Sequence, residues 1–81
     1  MNIKEFTEYL VKSVVNEPDM VKVSEFGGED DSIILEVIVT EKDRGIVIGK
    51  SGKTAKAIRT IVQAHAYILG LNQVKINIDS F

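Results

Sequence analysis

Cysteine is absent from the 81 residues. That excludes a disulfide framework, a zinc–thiolate site and a thiol nucleophile. The one histidine, His65, has neither a second histidine nor a cysteine to pair with. A packed or partly exposed helix position is therefore expected, not a metal ligand or a general base. No carboxylate pair and no Ser-His-Asp set can be assembled, so neither catalysis, a metal nor a cofactor is expected. Aromatic residues make up 6% of the chain, and Phe6, Tyr9, Phe26, Tyr67 and Phe81 are too scattered to form a stacking array. No apolar run approaches the ~20 residues that cross a bilayer, and Met1-Asn2-Ile3-Lys4-Glu5 is unlike a signal peptide. A soluble, cytoplasmic protein without membrane association is expected.

What remains is an ordinary globular composition, 44% hydrophobic and 27% charged, of a length that suits one domain over residues 1–81 with a modest core. The net charge of −2 conceals a sharp division. Residues 1–41 carry a net −7. Residues 42–59 carry a net +5, from Lys42, Arg44, Lys50, Lys53, Lys56 and Arg59 against Asp43 alone. The remainder is neutral. Such a local basic patch suits a polyanion, and the acidic body would repel one elsewhere. The plainer alternative is a solvated helix face.

Ile3, Phe6, Leu10 and Val14 recur at three- and four-residue steps, which predicts an amphipathic helix ended at Asn16-Glu17-Pro18. Met20 to Phe26 and Ser32 to Val39 read as strands around a Gly27-Gly28 turn, the second with Ile33, Leu35, Val37 and Val39 on one side. Glu29-Asp30-Asp31 reads as part of that solvated turn. Thr40 is placed to cap a short helix over residues 41–47. Residues 52–69 predict the longest helix, with Ala55, Ile58, Ile61, Val62, His65 and Leu69 on one stripe and Gly70 as its stop. Val74, Ile76 and Ile78 alternate with polar residues as a half-buried strand. The class is α+β, in the order α-β-β-α-α-β. Three helices on one face of a three-stranded sheet are the simplest packing.

Between the second and third helices lies Val47-Ile48-Gly49-Lys50-Ser51-Gly52. A nucleotide P-loop needs four residues between its first two glycines, whereas Gly45 and Gly49 are separated by only three, Ile-Val-Ile, which should pack. A dinucleotide fingerprint lacks its first Gly-x-Gly spacing here. A loop gripping the sugar-phosphate backbone of a single strand fits better. Its glycines would remove Cβ obstruction, and amides near the start of the long helix would attract phosphate. Lys50 and Lys53 add charge, Ser51 a hydroxyl, and Ile46 and Ile48 an apolar wall. Lys56 lies one turn along from Lys53. Lys42 and Arg44 flank the groove, and Arg59 is equally suited to an acidic surface partner. The glycines would also serve in a mere tight turn between helices.

The run Asp43 to Lys53, followed by Ala57-Ile58-Arg59-Thr60-Ile61, resembles the signature of KH domains, whose GxxG loop clamps about four nucleotides. The helix-first, strand-last order resembles the prokaryotic type II arrangement, which implies a mixed sheet with one parallel pair. The resemblance covers essentially the whole chain and extends to the small stand-alone bacterial KH proteins. It implies a single-stranded RNA-binding protein, an RNA chaperone or post-transcriptional regulator, with Ile46, Ile48, Gly49, Lys50, Ser51, Gly52, Lys53 and Lys56 against RNA. It further implies a homodimer, a complex with a larger KhpB-like RNA-binding protein, and a link to cell-length and peptidoglycan homeostasis. The alternative is a protein-interaction or dimerisation module with little direct RNA binding. One position departs from the pattern. KH domains carry a larger aliphatic residue three after the second glycine, where this chain has Ala55, so either a neighbour such as Ile48 fills the space or the groove is shallower.

Overall fold

Alternation in the two β-rich runs and the glycine turn between them produce an antiparallel hairpin. The computed structural model describes residues 1–81, the side chain of Asp30 excepted. Strand β1 spans Lys22–Gly27 and β2 spans Ile33–Val39, paired through Val23 opposite Val37 and Phe26 opposite Ile34. Strand β3, Val74–Ser80, lies on the other side of β2 and runs parallel to it, with Leu35 opposite Ile76. A parallel return needs a long crossover, here made by α2 (Glu41–Ile48) and α3 (Lys53–Ile68). Helix α1, Ile3–Val14, completes the layer. The architecture is the expected α+β fold: three helices and a three-stranded mixed sheet of order β1-β2-β3.

The inward row of β2, Leu35, Val37 and Val39, is fully buried and joins Val23 and Ile76 against Ile3, Val11, Val47, Ile58, Val62 and Ala66 from the helices. Full burial of each such aliphatic side chain contributes roughly 1.5–3 kcal/mol. Periodicity misjudged the edges of two helical stripes. On α1 the core takes Thr7 and Val11, while Val14 is exposed; Thr7 is tolerated because its hydroxyl donates to the Ile3 carbonyl at 2.8 Å. On α3 the buried row is Ala55, Ile58, Val62 and Ala66, and Ile61 and Leu69 face outward. The row follows three- and four-residue steps from Ala55, and each residue beside it is turned ~100° away. His65 is half-buried and stacks on Phe6, ring centroids 4.1 Å apart.

Capping fixes the element ends. Asn2 accepts from the Glu5 amide at 2.8 Å and Glu5 accepts from the Asn2 amide at 3.3 Å, a reciprocal pair that the sequence reading missed. Asn2→Ala is expected to cost about 1 kcal/mol, measurable by urea denaturation; a loss below a few tenths would count against the pair. β1 begins at Lys22, not Met20, because Pro18–Met20 forms a 3₁₀ turn. β2 begins after Ser32, whose amide is committed to the Glu29 carbonyl. Glu29 and Asp31 are exposed as expected of a solvated turn; the side chain of Asp30 lies outside the described residues. At the end of α3, Gly70 donates to the Tyr67 carbonyl and Leu71 to that of Ala66, closing the helix.

Candidate nucleic-acid interface

Thr40 starts α2 as expected, its hydroxyl accepting from the Asp43 amide at 3.2 Å. In the sequence Asp43 figures only as the lone carboxylate of the basic segment. In the structure it is 1% exposed, and its two carboxylate oxygens accept from the backbone amides of Asn16 at 3.1 Å and Glu17 at 2.9 Å. The one carboxylate in the basic segment thus faces inward and anchors α2 to the chain leaving α1. Among the described residues the one ion pair is Lys12–Glu8 on α1. Lys42, Arg44, Lys50, Lys53, Lys56 and Arg59 therefore stand without a carboxylate at ion-pair distance, a concentrated positive potential on an acidic body.

The four-residue loop between α2 and α3 holds three positive-φ residues: Gly49 (φ 76°), Ser51 (φ 57°) and Gly52 (φ 74°). Its two glycines serve different ends, although the sequence reading gave them one role. A Cβ on Gly49 would lie 2.7 Å from the Thr54 Cβ and 2.8 Å from the Thr54 amide nitrogen, so the bare α-carbon lets α3 close onto α2. A Cβ on Gly52 would meet no atom within 4 Å, so its bare face is open to a ligand. The Gly49 amide donates to Gly45, the Gly52 amide to Gly49 and the Lys53 amide to Lys50. Those of Lys50 and Ser51 have no backbone partner among the described residues. Adjacent open N–H groups around a positive-φ residue form the concave donor array that suits an anion.

The flanking residues divide. Lys50, Ser51, Lys53 and Lys56 are exposed. Ile46 is exposed and Ile48 half-buried at the end of α2, with Val47 between them turned into the core. Ala55 is buried, and the neighbouring Ile48 is half-buried. Lys53 and Lys56 line a shallow depression with Ala57, Thr60 and Ile61 along α3. Lys56 also borders a larger groove between α3 and β3, with Arg59, Gln63 and Tyr67 on one wall and Val74 to Asn77 on the other. Ile46, Ile48, Lys50 and Ser51 border neither hollow.

Arg59, Gln63 and the β3 wall were not recognised as groove residues. Among the described residues Arg59 has no acidic partner, and it donates to the Ile76 carbonyl at 3.4 Å. Gln63 donates to the Asn72 carbonyl at 3.0 Å and accepts from the Val74 amide at 3.1 Å, pinning the α3–β3 connection. The four-residue spacing of Arg59 and Gln63, pointing one face of α3 at a single line, was the available signal.

Residues 4–78 match the family model described as KhpA/KhpB, KH domain. The chain belongs to that family. It is 53% identical over 64 residues to RNA-binding protein KhpA of Clostridium perfringens, a match covering 79% of this chain and 84% of that one. It is 36% identical over 77 residues to RNA-binding protein KhpA of Chlamydia pneumoniae, covering 95% and 94%. The KhpA/KhpB fold is also found in larger proteins. Aquifex aeolicus Era bound to GDP.AlF4- superposes with a TM-score of 0.67 at 23% identity over 98% of this chain, a likeness of fold alone. Era in complex with MgGDPNP and nucleotides 1506-1542 of 16S ribosomal RNA superposes with a TM-score of 0.62 at 25% identity over 96%. This chain spans 30% and 29% of those two chains. Among the described residues no helix is long and apolar enough to cross a membrane.

Proposed function

We propose that this protein binds single-stranded RNA without catalysing a reaction on it, as an RNA chaperone or post-transcriptional regulator. The observation that carries this reading is the open Lys50 and Ser51 amides beside unpaired Lys50, Lys53 and Lys56. RNA binding in the names of the KhpA relatives supports it, as does the Era complex with ribosomal RNA. The loop takes phosphates, with Ile46 and Ile48 beside it, and the α3–β3 groove takes the bases. The grip is mostly on the backbone, so one copy binds weakly and a second linked groove raises avidity. By resemblance the protein forms a homodimer and a complex with a KhpB-like RNA-binding protein in the cytoplasm, and serves cell-length and peptidoglycan homeostasis.

The decisive variant is Lys50→Asp with Ser51→Asp, both glycines kept. The expected result is unchanged thermal unfolding with at least a tenfold loss of affinity for a single-stranded octamer and a shallower salt dependence. A folded double variant that keeps full, equally salt-sensitive binding would falsify the clamp.

The protein-docking alternative is favoured by one observation: Ile61, Tyr67, Ile68 and Leu69 of α3 and its end are exposed, Tyr67 by 83%. Crosslinking in cells separates the two. A stable protein complex without recovered RNA would favour docking.

A further inference from the structure

The helices bury one face of the sheet, through Val23, Leu35, Val37 and Ile76. Alternation turns the residues between these to the other face, where every side chain is exposed or half-buried. The register sorts them into rows across the three strands. One row reads Lys22, Ile38, Asp79 and another Phe26, Ile34, Lys75, with Glu36 at the centre between them. Lys22 and Asp79 stand two strands apart, about 10 Å, and Lys75 and Asp79 four residues apart on one strand, about 13 Å. Neither pair closes within the chain, because the one ion pair among the described residues is Lys12–Glu8.

A second copy of the same face supplies the missing partners. Two such faces meeting about a two-fold axis in their common plane lay β2 over β2 and each corner over another corner. With the axis along β2, Lys22 meets Asp79 of the second copy, Lys75 meets the ring of Phe26, and Ile34 and Ile38 each meet themselves. With the axis across the strands, Asp79 meets Lys75, Lys22 meets Phe26, and Ile34 meets Ile38. In both, Asp79 faces a lysine and aliphatic faces aliphatic, while Glu36 is forced against its own copy, an unfavourable pairing of like charges. Resting on the homodimer of the reading above, we infer that the helix-free face of the sheet is the surface through which two copies associate, and that Glu36 at its centre keeps the association weak. The footprint of three short strands, roughly 300 Å², is small beside the ~800 Å² per partner of a standard interface, which also makes the contact reversible. The α2–α3 loop and the outer side of α3 belong to the opposite layer, so each copy keeps its RNA grip open.

The test is sedimentation equilibrium of the full chain without RNA, carried to high protein concentration, with folding of each variant checked by circular dichroism. Asp79→Lys sets like charges opposite each other twice in the dimer and is expected to raise the dimer dissociation constant about tenfold. Adding Lys22→Glu restores the dimer if the axis runs along β2, and adding Lys75→Glu restores it if the axis runs across the strands. Glu36→Gln is expected to tighten the dimer about threefold, by removing the repulsion on the axis. If Asp79→Lys has no effect, or neither lysine reversal repairs it, the sheet face is overturned as the contact while the homodimer stands. If Glu36→Gln leaves the dimer unchanged or weaker, the role of Glu36 is overturned. A wild-type chain that stays monomeric at the highest concentration removes the homodimer reading and this inference together.

Discussion

Gly49→Ala is expected to destabilise the protein by about 3 kcal/mol or more, from two causes that add at one position. The backbone at Gly49, φ 76° and ψ 173°, lies where essentially only glycine is relaxed. The new methyl would overlap Thr54, including its amide nitrogen, which belongs to the first turn of α3 and cannot move without the helix. Gly52→Ala provides the contrast. Its φ of 74° and ψ of 12° are left-handed helical, and its missing Cβ faces open space, so a cost of about 1–2 kcal/mol is expected. RNA affinity should respond in the opposite order to stability among molecules that remain folded, because the Gly52 methyl stands where a phosphate chain would approach. Urea unfolding with a constant m-value reads the first effect, and octamer binding at low temperature reads the second. Equal stability losses for the two variants would mean that Thr54 yields, and the division of labour between the glycines would be wrong.

Asp43→Ala should cost about 2–4 kcal/mol, since it leaves the Asn16 and Glu17 amides without the carboxylate that accepts from both. Asp43→Asn keeps the shape but supplies a single acceptor oxygen and turns an NH₂ toward a donor, so it should lie close to alanine. Loss of negative charge at the start of α2 adds a few tenths of a kcal/mol to either. At temperatures where the variants stay folded, RNA affinity should change little, because Asp43 lies at the end of α2 remote from the loop. A loss under about 1 kcal/mol in Asp43→Ala would show that water replaces the carboxylate easily.

How far these features could be read from residues alone depends on the range of the forces involved. Alternation set the inward row of β2, because a strand has only two faces. The Thr40 cap and the Gly70 stop are local bonds, legible within a few positions. A helix stripe is less sharply defined, so Ile61 and Leu69 were assigned to a core that chose Ala66, whose small side chain admits close packing. Asp43, Arg59 and Gln63 act on backbone groups many residues away. Their partners exist only after the sheet and helices assemble, and a charged or amide side chain carries no periodic mark of such a task. The loop was found by its glycines, but the unlike duties of Gly49 and Gly52 depend on where Thr54 comes to rest.

The parallel pairing of β2 with β3 has a consequence for the order of events in folding. β1 and β2 meet across a short turn and can zip early. β3 can find β2 only after everything between Val39 and Val74, the loop included, has been drawn into a closed circuit. The loop between α2 and α3 is therefore shaped as this circuit closes, a slower step than hairpin formation because it joins positions much further apart in sequence. Strain placed at Gly49 should slow folding to the extent that this circuit is already closed at the barrier, and should otherwise hasten unfolding. A chain emerging during synthesis can therefore form the hairpin before the open Lys50 and Ser51 amides take their final place, so the proposed grip on nucleic acid would have to wait for β3 to dock.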